Sequence, residues 1–316
     1  MKCFDSFEQF SREAGQIAQA RPVVSVGSFD GVHLGHQYLL NELVEWARRE
    51  KAPSVVVTFT LHPREMMTGE EVPSLTSSAH KRRLLEAHGI DAVLMLEFDA
   101  NLREVSASSF MQRHVQQILG ARGMLVGFNN RIGKDGEGTF KVLQDVGDMI
   151  GVEVREAERV EVSGEAMSSS TIRSHVANGD FLWARKMLGR PYSIVGEVIE
   201  GDKRGRTIGF PTANVSLNGL AFPPLGVYGV SVRLNGETRT GAANIGTRPT
   251  VDPGRVTPLL EVHLPGFEGD LYGREIEVEF LFHLRGEQKF GSIDELKARL
   301  EQDVAEITRR VKDGDF

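Results

Sequence analysis

The chain has 316 residues, of which 40% are hydrophobic, and its formal net charge is −7 at pH 7. This composition can fill two hydrophobic cores, excludes a disordered chain and argues against a general nucleic-acid-binding protein. Cys3 is the single cysteine, which excludes a disulfide framework, and no apolar stretch is long enough for a signal peptide or membrane span, so we expect a cytoplasmic protein.

The first half alternates strand-like and helix-like segments. Apolar runs rich in β-branched residues predict strands at 22–26, 54–60, 92–96, 124–126 and 152–155. Helical spacing of apolar residues predicts helices from Tyr38 to Ala47 and at 79–88, 108–119 and 140–150. This alternation is typical of a doubly wound parallel sheet, which binds ligands at the carboxyl ends of its strands. We predict such an α/β domain over 1–188.

The second half has short β-type runs spaced by glycine and proline. Strands are predicted at 192–199, 227–235, 241–245, 259–264 and 276–284, which favours a small closed all-β barrel over 189–316. A final helix is predicted at 292–311, with Ser292 as N-cap and Glu295 completing a capping box. Its expected buried stripe is Leu296, Leu300, Val304 and Ile307.

The segment 27–36, GSFDGVHLGH, joins the first predicted strand to a helix. A strand-to-helix turn of this kind presents backbone N–H groups and the positive end of a helix dipole, which suit a phosphate. His33 and His36 add donors on one helix face. The P-loop lysine and the dinucleotide glycine spacing are both missing, and a metal site would need a third ligand that is not obvious. We therefore predict a nucleotide site.

A second anion-binding segment is predicted at 167–173, MSSSTIR. By itself the hydroxyl run would be a generous helix N-cap. If the same sheet edge also presents the two histidines, the run becomes a further phosphate site, with Arg173 neutralising a triphosphate.

These motifs resemble those of the nucleotidylyltransferase superfamily, which has a Rossmann-like fold. The form Gly-x-Phe-Asp-Gly-Val-His-x-Gly-His, with Thr58-Phe59 and His62-Pro63 downstream, is similar to the FMN adenylyltransferase branch. The resemblance implies attack of the FMN phosphate on the α-phosphorus of ATP, with His33 and His36 as catalytic residues. It assigns ATP binding to Gly27, Phe29, Asp30, Gly31, His33, Gly35, His36, Ser168, Ser169 and Arg173. It assigns flavin binding to His62, Asn129 and Arg131.

Four positions depart from the family pattern. Asparagine is usual at Ser28, threonine at Ser170, and aromatic residues at Asn130 and Ile132. The last two departures remove rings from the expected flavin pocket.

The segment 205–214, GRTIGFPTAN, combines a glycine-bearing loop with a Thr-x-Asn pair. Glycines allow close approach to a phosphate, and hydroxyl and amide oxygens are hard ligands that suit Mg²⁺ carried by ATP. On spacing alone, an ordinary β-turn explains the segment equally well.

The same segment closely resembles the Gly-Phe-Pro-Thr-Ala-Asn motif of riboflavin kinases. Further matches lie at 226–228, 244–250, 261–263 and 271–273. The resemblance implies that Glu261 is the general base on the ribityl 5′-hydroxyl, although a solvent-facing strand carboxylate would fit the local pattern. It places Mg²⁺ on Thr212 and Asn214, and ATP on Lys203, Gly205, Arg206, Gly209, Thr212 and Asn214. It places the flavin against Arg285, Lys289 and Phe290, the last of which would serve equally as a helix staple.

The whole pattern resembles the family of bifunctional riboflavin kinases and FMN adenylyltransferases over about 21–310. It implies ATP and Mg²⁺ as cofactors and riboflavin, FMN and ATP as small-molecule partners, without nucleic acid or membrane. One alternative is a riboflavin kinase whose N-terminal domain is inactive or re-purposed, motivated by Asn130 and Ile132. Another is a non-catalytic flavin-binding regulator, which would not require a base such as Glu261.

Overall fold

The structure is a computed structural model that describes residues 1–162, 165–201, 205, 208–249 and 256–316. Contacts divide the chain into two compact units, Met1–Ser74 with Ser78–Ser169, and Leu75–Ser77 with Ser170–Phe316. By this division, residues 170–188 join the second unit, whereas the sequence analysis places them in the first domain. The functional boundary at 188/189 stays a prediction. Among the described residues, no helix is long and apolar enough to cross a membrane.

The first unit is built on a parallel sheet, as predicted. Its strands are β1 (Lys2–Phe4), β2 (Val23–Val26), β3 (Ser54–Phe59), β4 (Ala92–Leu96), β5 (Gly123–Val126) and β6 (Glu153–Glu156). They lie in the order β1-β4-β3-β2-β5-β6 and all pair in parallel. The sequence did not predict β1, because a three-residue edge strand has too little periodicity to read.

Helices connect these strands. They are α1 (Phe7–Glu13), α2 (Gly15–Gln19), α3 (Leu34–Arg49), α4 (Pro63–Thr68), α5 (Ser78–Ala87), α6 (Ala100–Arg103), α7 (Ala107–Ser109) and α8 (Phe140–Ile150). The helix predicted at 108–119 is instead α7 followed by a π-helix, Phe110–Ile118. A short hairpin follows the sheet, β7 (Glu161–Val162) with β8 (Glu165–Ala166).

Alternate strand residues face two separate apolar clusters. Val24 and Val26 of β2 belong to one cluster, and Val23 belongs to the other, which includes Trp46 of α3. A strand buried on both faces needs apolar residues throughout, which explains the continuous runs in the sequence. A Cβ at Gly123 would lie 2.5 Å from the Trp46 ring, so α3 requires glycine there to pack closely.

The sheet order places a topological switch point between β2 and β5. After β2, the chain adds β3 and β4 on one side of this strand and then adds β5 and β6 on its other side. Ligands of doubly wound sheets bind at this position, outside the carboxyl ends of the strands. The segments that follow β2 and β5 are the predicted nucleotide turn and the segment that carries Asn129.

The second unit contains a closed barrel, as predicted. Its elements are α9 (Ser169–Ala177), α10 (Phe181–Leu188), β9 (Ser193–Ile199), β10 (Thr212–Ser216), β11 (Gly226–Leu234), β12 (Glu237–Pro249), β13 (Val256–His263), β14 (Glu275–Arg285) and α11 (Ile293–Asp313). The barrel order is β10-β13-β12-β11-β14-β9, with antiparallel pairing. The sequence did not predict β10, because proline and glycine next to it suggested a loop.

The terminal helix begins as predicted, with one difference. The Ser292 hydroxyl accepts a hydrogen bond from the Glu295 N–H at 3.2 Å, but the Glu295 carboxylate accepts from Gly291 rather than from Ser292. In the predicted stripe only Ile307 is fully buried, and Asp303 is buried beside it. The acidic residue in this stripe therefore needs a partner, which β14 supplies.

Candidate functional sites

The turn after β2 has an unusual backbone. Phe29, Gly31 and Val32 have φ values of 46°, 75° and 39°, in the left-handed region. For non-glycine residues this conformation costs about 1–3 kcal/mol each and persists only where neighbouring structure enforces it. The turn therefore relies on contacts from outside, and such strain is common at ligand sites.

His33 and His36 are stacked at the start of α3. Their ring centroids lie 3.7 Å apart with an interplanar angle of 14°. The Nδ1 of His33 accepts the His36 N–H at 3.2 Å and caps the helix, so a neutral His33 ring carries its proton on Nε2. No third histidine, cysteine or carboxylate completes a metal-binding group with them in the described part of the chain.

His36 is neutral at pH 7. Burial, followed by the nearby His33 and Lys81, holds the pKa of His36 well below its ordinary value. The lowered pKa favours the uncharged ring, which has one N–H to donate. Its Nδ1 is buried and has no hydrogen-bond partner among the described residues.

Gly35 packs tightly against the ring of His33. A Cβ there would lie 3.2 Å from both Cε1 and Nδ1 of His33. The Gly35 N–H donates to Sδ of Met167 at 2.9 Å, so a thioether satisfies one of the first N–H groups of α3. Met167 immediately precedes the predicted hydroxyl run that begins at Ser168.

A cavity of about 480 Å³ opens at the switch point. Its lining includes these predicted site residues: Gly27, Phe29, His33, Gly35, His36, Asn129, Ser168 and Ser169. It also includes Phe128, Glu158 and Arg159, which the sequence analysis did not select. The Arg159 guanidinium lies 5.6 Å from the Phe128 ring centroid, so an aromatic ring with a cation beside it faces the cavity.

Other predicted residues of the first unit lie outside this lining. Asp30, which is 2% exposed, and Gly31 are buried residues of the turn itself. His62 caps α4, where its Nδ1 accepts the Arg64 N–H at 3.2 Å. Arg131 is exposed and donates to the Gly136 carbonyl at 3.4 Å. Their assigned roles stay predictions.

The structure explains two departures from the family pattern. Ile132 is 7% exposed and belongs to a core cluster of the first unit, so it is not missing from a pocket wall. Asn130 lines the cavity, and its Nδ2 donates to the Val26 carbonyl at 2.7 Å. This bond connects the segment that follows β5 to the end of β2, and a phenylalanine side chain has no polar group to make it.

The hydroxyl run is only partly available to a ligand. The Ser169 hydroxyl donates its single hydrogen to the Asp30 carbonyl at 2.9 Å, so it can only accept from another group. Arg173 belongs to the second unit, where its Nη2 donates to Ser170 at 3.1 Å. The assignment of Arg173 to ATP phosphates stays a prediction.

The barrel presents a row of polar residues on its outer face. Glu261 of β13 pairs in register with Asn214 of β10 on one side and with Asn244 of β12 on the other. Residues in register share a face, and the next residue, Val262, belongs to the barrel core. Asn214 is 4% exposed although it lies on this outer face, so neighbouring chain covers it.

Gly201 forms part of that cover, and Gly205 lies near Thr212. A Cβ at Gly201 would lie 2.4 Å from Nδ2 of Asn214. A Cβ at Gly205 would lie 2.2 Å from the Phe210 carbonyl oxygen and 3.7 Å from Oγ1 of Thr212. Backbone therefore closely approaches the Thr-x-Asn pair, and a hydroxyl and an amide in such a cradle fit a Mg²⁺–phosphate ligand. Lys203 and Arg206, predicted for the same phosphates, lie outside the described residues.

A cavity of about 610 Å³ adjoins this row. It is lined by Thr212, Ala213 and Asn214 of β10 and by the segment 267–272 that follows β13. The predicted ATP residue Gly209 has φ of 89° and occupies the turn before β10. These placements bring the predicted Mg²⁺ residues to the wall of one cavity.

In the predicted flavin loop, the partner of Arg285 is a carboxylate of the protein itself. Its guanidinium donates to both carboxylate oxygens of buried Asp303, with Nη2 to Oδ2 at 2.7 Å. It also lies 6.0 Å from the Phe290 ring centroid, whereas Lys289 is exposed. The contacts of Arg285 connect the end of β14 to α11, and the flavin roles of the three residues stay predictions.

One unit has a Rossmann-like sheet with a histidine turn at its switch point, and the other has a barrel with a carboxylate between two asparagines, which together indicate a two-domain nucleotide-dependent transferase. The FAD synthetase family matches residues 16–171, and the riboflavin kinase family matches residues 188–311. The chain belongs to the family of bifunctional riboflavin kinases/FMN adenylyltransferases.

Relatives with that name match nearly the whole chain. The Pseudomonas fluorescens protein is 43% identical over 283 residues, which cover 90% of this chain and 91% of the relative. The Escherichia coli K12 protein is 39% identical over 297 residues, covering 93% and 94%. A crystal structure named macrolide-efflux protein from Streptococcus pneumoniae matches with a TM-score of 0.78 and 31% identity, covering 92% and 94% of the two chains.

Proposed function

We propose that the chain makes FAD in two ATP-dependent steps, one in each domain. The C-terminal barrel transfers the γ-phosphoryl group of ATP to the 5′-hydroxyl of riboflavin and yields FMN and ADP. The N-terminal domain transfers the adenylyl group of a second ATP to the FMN phosphate and yields FAD and pyrophosphate. The two family matches, one in each domain, support both steps.

The register of Asn214, Glu261 and Asn244 is the observation that carries the kinase mechanism. In the proposed step, the Glu261 carboxylate accepts the 5′-hydroxyl proton as that oxygen bonds to the γ-phosphorus, and the bond to ADP breaks. The two neighbours are amides, which orient a carboxylate by hydrogen bonding without neutralising it. The proposed base is therefore flanked on both neighbouring strands by uncharged side chains.

The oxygens of Thr212 and Asn214 are the groups proposed to hold Mg²⁺. When bound, the ion would neutralise phosphate charge. The chain itself contributes glycine backbone close to both side chains, Gly201 beside Asn214 and Gly205 beside Thr212. Lys203, Arg206 and Gly209 complete the proposed ATP site.

The adenylyl transfer is proposed to depend on positioning. An oxygen of the FMN phosphate bonds to the α-phosphorus while the bond to pyrophosphate breaks, and no covalent enzyme intermediate is needed. His33 and neutral His36 donate hydrogen bonds to the phosphates, together with the N–H groups at the start of α3. Asn129, which lines the same cavity, is proposed to contact the flavin of FMN, together with His62 and Arg131.

One incubation tests both steps. The purified full chain is supplied with riboflavin, ATP and Mg²⁺, and FMN and FAD are separated by chromatography. We expect both products in sequence. FMN without FAD would indicate a kinase with an inactive N-terminal domain, and neither product would contradict the proposed function.

Two variants separate the sites. Glu261→Gln should lower FMN formation about 100-fold or more, the range for losing a general base, while FMN added directly is still converted to FAD. His36→Asn should do the reverse. Glu237→Gln is the matched control, because Glu237 is an exposed carboxylate on β12 that contacts only the exposed Arg239 at 2.8 Å among the described residues. Loss of both activities in a folded Glu261→Gln protein would contradict the assignment.

A further inference from the structure

Lys81 is a buried cation beneath the nucleotide turn. It lies on α5, is 5% exposed, and its Nζ donates to the Phe59 carbonyl at 2.8 Å and to the Ser28 carbonyl at 2.9 Å. Phe59 is the last residue of β3, and Ser28 follows β2 by two residues. One ammonium group therefore connects the carboxyl end of β3 to the turn that follows β2 and leads to the histidines.

The turn depends on several contacts of this kind. The Thr58 hydroxyl also donates to the Ser28 carbonyl, at 2.9 Å, and the Ser169 hydroxyl donates to the Asp30 carbonyl, at 2.9 Å. These three donors hold the carbonyls of Ser28 and Asp30, which flank the left-handed residue Phe29. Among the three, Lys81 alone supplies a charge.

Burial of this charge has an electrostatic consequence. Desolvation lowers the pKa of Lys81 to about 8, against the opposing effect of Asp30. Lys81 in turn contributes to the lowered pKa of His36, so its field reaches the imidazole that lines the cavity. A buried lysine kept at this cost suggests a functional reason for retaining it.

We propose that Lys81 is a positioning residue for adenylyl transfer. It fixes the Ser28 carbonyl and the end of β3, so that the N–H groups of the turn and the two histidines meet the ATP phosphates in one arrangement. It acts through the turn and does not itself contact substrate. This inference rests on the proposed function of the N-terminal domain.

The same contacts account for serine at position 28. The bonds that hold this position are made by its carbonyl oxygen, which every residue type supplies. Replacement of the usual asparagine by Ser28 therefore leaves the attachment of the turn intact.

The test compares Lys81→Met with Arg82→Met in the full chain. The two positions are adjacent on α5 and each change removes one positive charge, but Arg82 is exposed. Initial rates of FAD and pyrophosphate formation from FMN and ATP are measured against ATP concentration. FMN formation from riboflavin is the internal control, because the kinase site lies in the other unit.

We expect Lys81→Met to lower kcat for adenylyl transfer by about 10- to 100-fold, the usual effect of displacing catalytic groups by about an ångström. The kinase rate should stay within about twofold, and Arg82→Met should match the wild type in both reactions. Adenylyl transfer within about twofold of the wild type in Lys81→Met would overturn the proposal. If the wild type itself forms no FAD from FMN, the proposed function fails, which is a separate outcome.

A second variant covers the case in which Lys81→Met does not fold. Lys81→Arg keeps the charge but replaces the ammonium by a planar guanidinium with different donor positions. If Lys81 acts through geometry, this variant binds ATP yet remains about tenfold or more slower in adenylyl transfer. A wild-type rate in Lys81→Arg would show that charge alone suffices and would refute the positioning role.

Discussion

The ion pair between Asp303 and Arg285 offers a stability test of the second unit. Asp303 is 2% exposed on α11 and binds the Arg285 guanidinium through both carboxylate oxygens. Arg299 lies on the same helix, with Nε 3.0 Å from Oδ1 of Asp303. Asp303→Asn keeps the side-chain volume but removes the charge, which leaves the Arg285 side chain, only 14% exposed, without its counter-ion.

The expected loss in the free energy of unfolding depends on which contacts Arg285 and Arg299 retain. Removing one partner of a buried pair costs about 3–5 kcal/mol. We expect about 3 kcal/mol, because Arg285 retains a hydrogen bond to the Gly286 carbonyl at 3.0 Å and the Arg299 side chain is 37% exposed. For a unit of this size that corresponds to a melting temperature lower by about 6–12 °C.

Calorimetry of the full chain measures this shift in the transition of the second unit. Asp313→Asn is the matched control, since it removes a carboxylate of the same helix that pairs with exposed Arg309 at 3.2 Å and should cost about 0–1 kcal/mol. A melting temperature for Asp303→Asn within about 2 °C of the wild type would refute the reasoning, because it would mean that the pair contributes no more than a surface contact.

Three further predictions concern the first unit. Gly35→Ala should lower FAD formation from FMN about tenfold, since the new methyl would lie 3.2 Å from the His33 ring and displace it; unchanged FAD output by chromatography would contradict this. Asn130→Ala should destabilise this unit by about 1–2 kcal/mol through the lost bond to Val26, and an unchanged urea midpoint would count against that role. The Lys81 pKa is about 8 when folded, below its ordinary 10.5, so the unfolded chain binds more protons between these values. The contribution of Lys81 to stability should therefore rise with pH from about 8 to 10.5, measured as the difference in urea unfolding between wild type and Lys81→Met; a contribution that falls over this window would disprove the sign.

The sequence was sufficient for features that depend on local periodicity. Continuous apolar runs predicted the parallel strands, because a strand covered on both faces has no polar side. The glycine turn at 27–36 and the N-cap at Ser292 could be read because backbone conformation and capping involve neighbours a few residues apart. The resemblance of the motifs to known families supplied the functional expectation, which the comparisons confirmed.

The site itself was predicted in part. His33, His36 and Asn129 were selected from sequence and line one cavity in the structure. Phe128 and Arg159 were missed, since an exposed aromatic residue and a charged residue have many ordinary explanations on a surface.

Only the tertiary structure decided which distant residues meet. Lys81 lies 53 residues from Ser28 in sequence, and no local pattern distinguishes it from the exposed Arg82 beside it. The row through Glu261 required β10, which was not predicted, because strand register is set by pairing with distant residues. Burial decided the roles of Ile132 and Asp303 in the same way. Burial and register arise from contacts between distant segments, so only the folded chain could show that Lys81 supports the nucleotide turn.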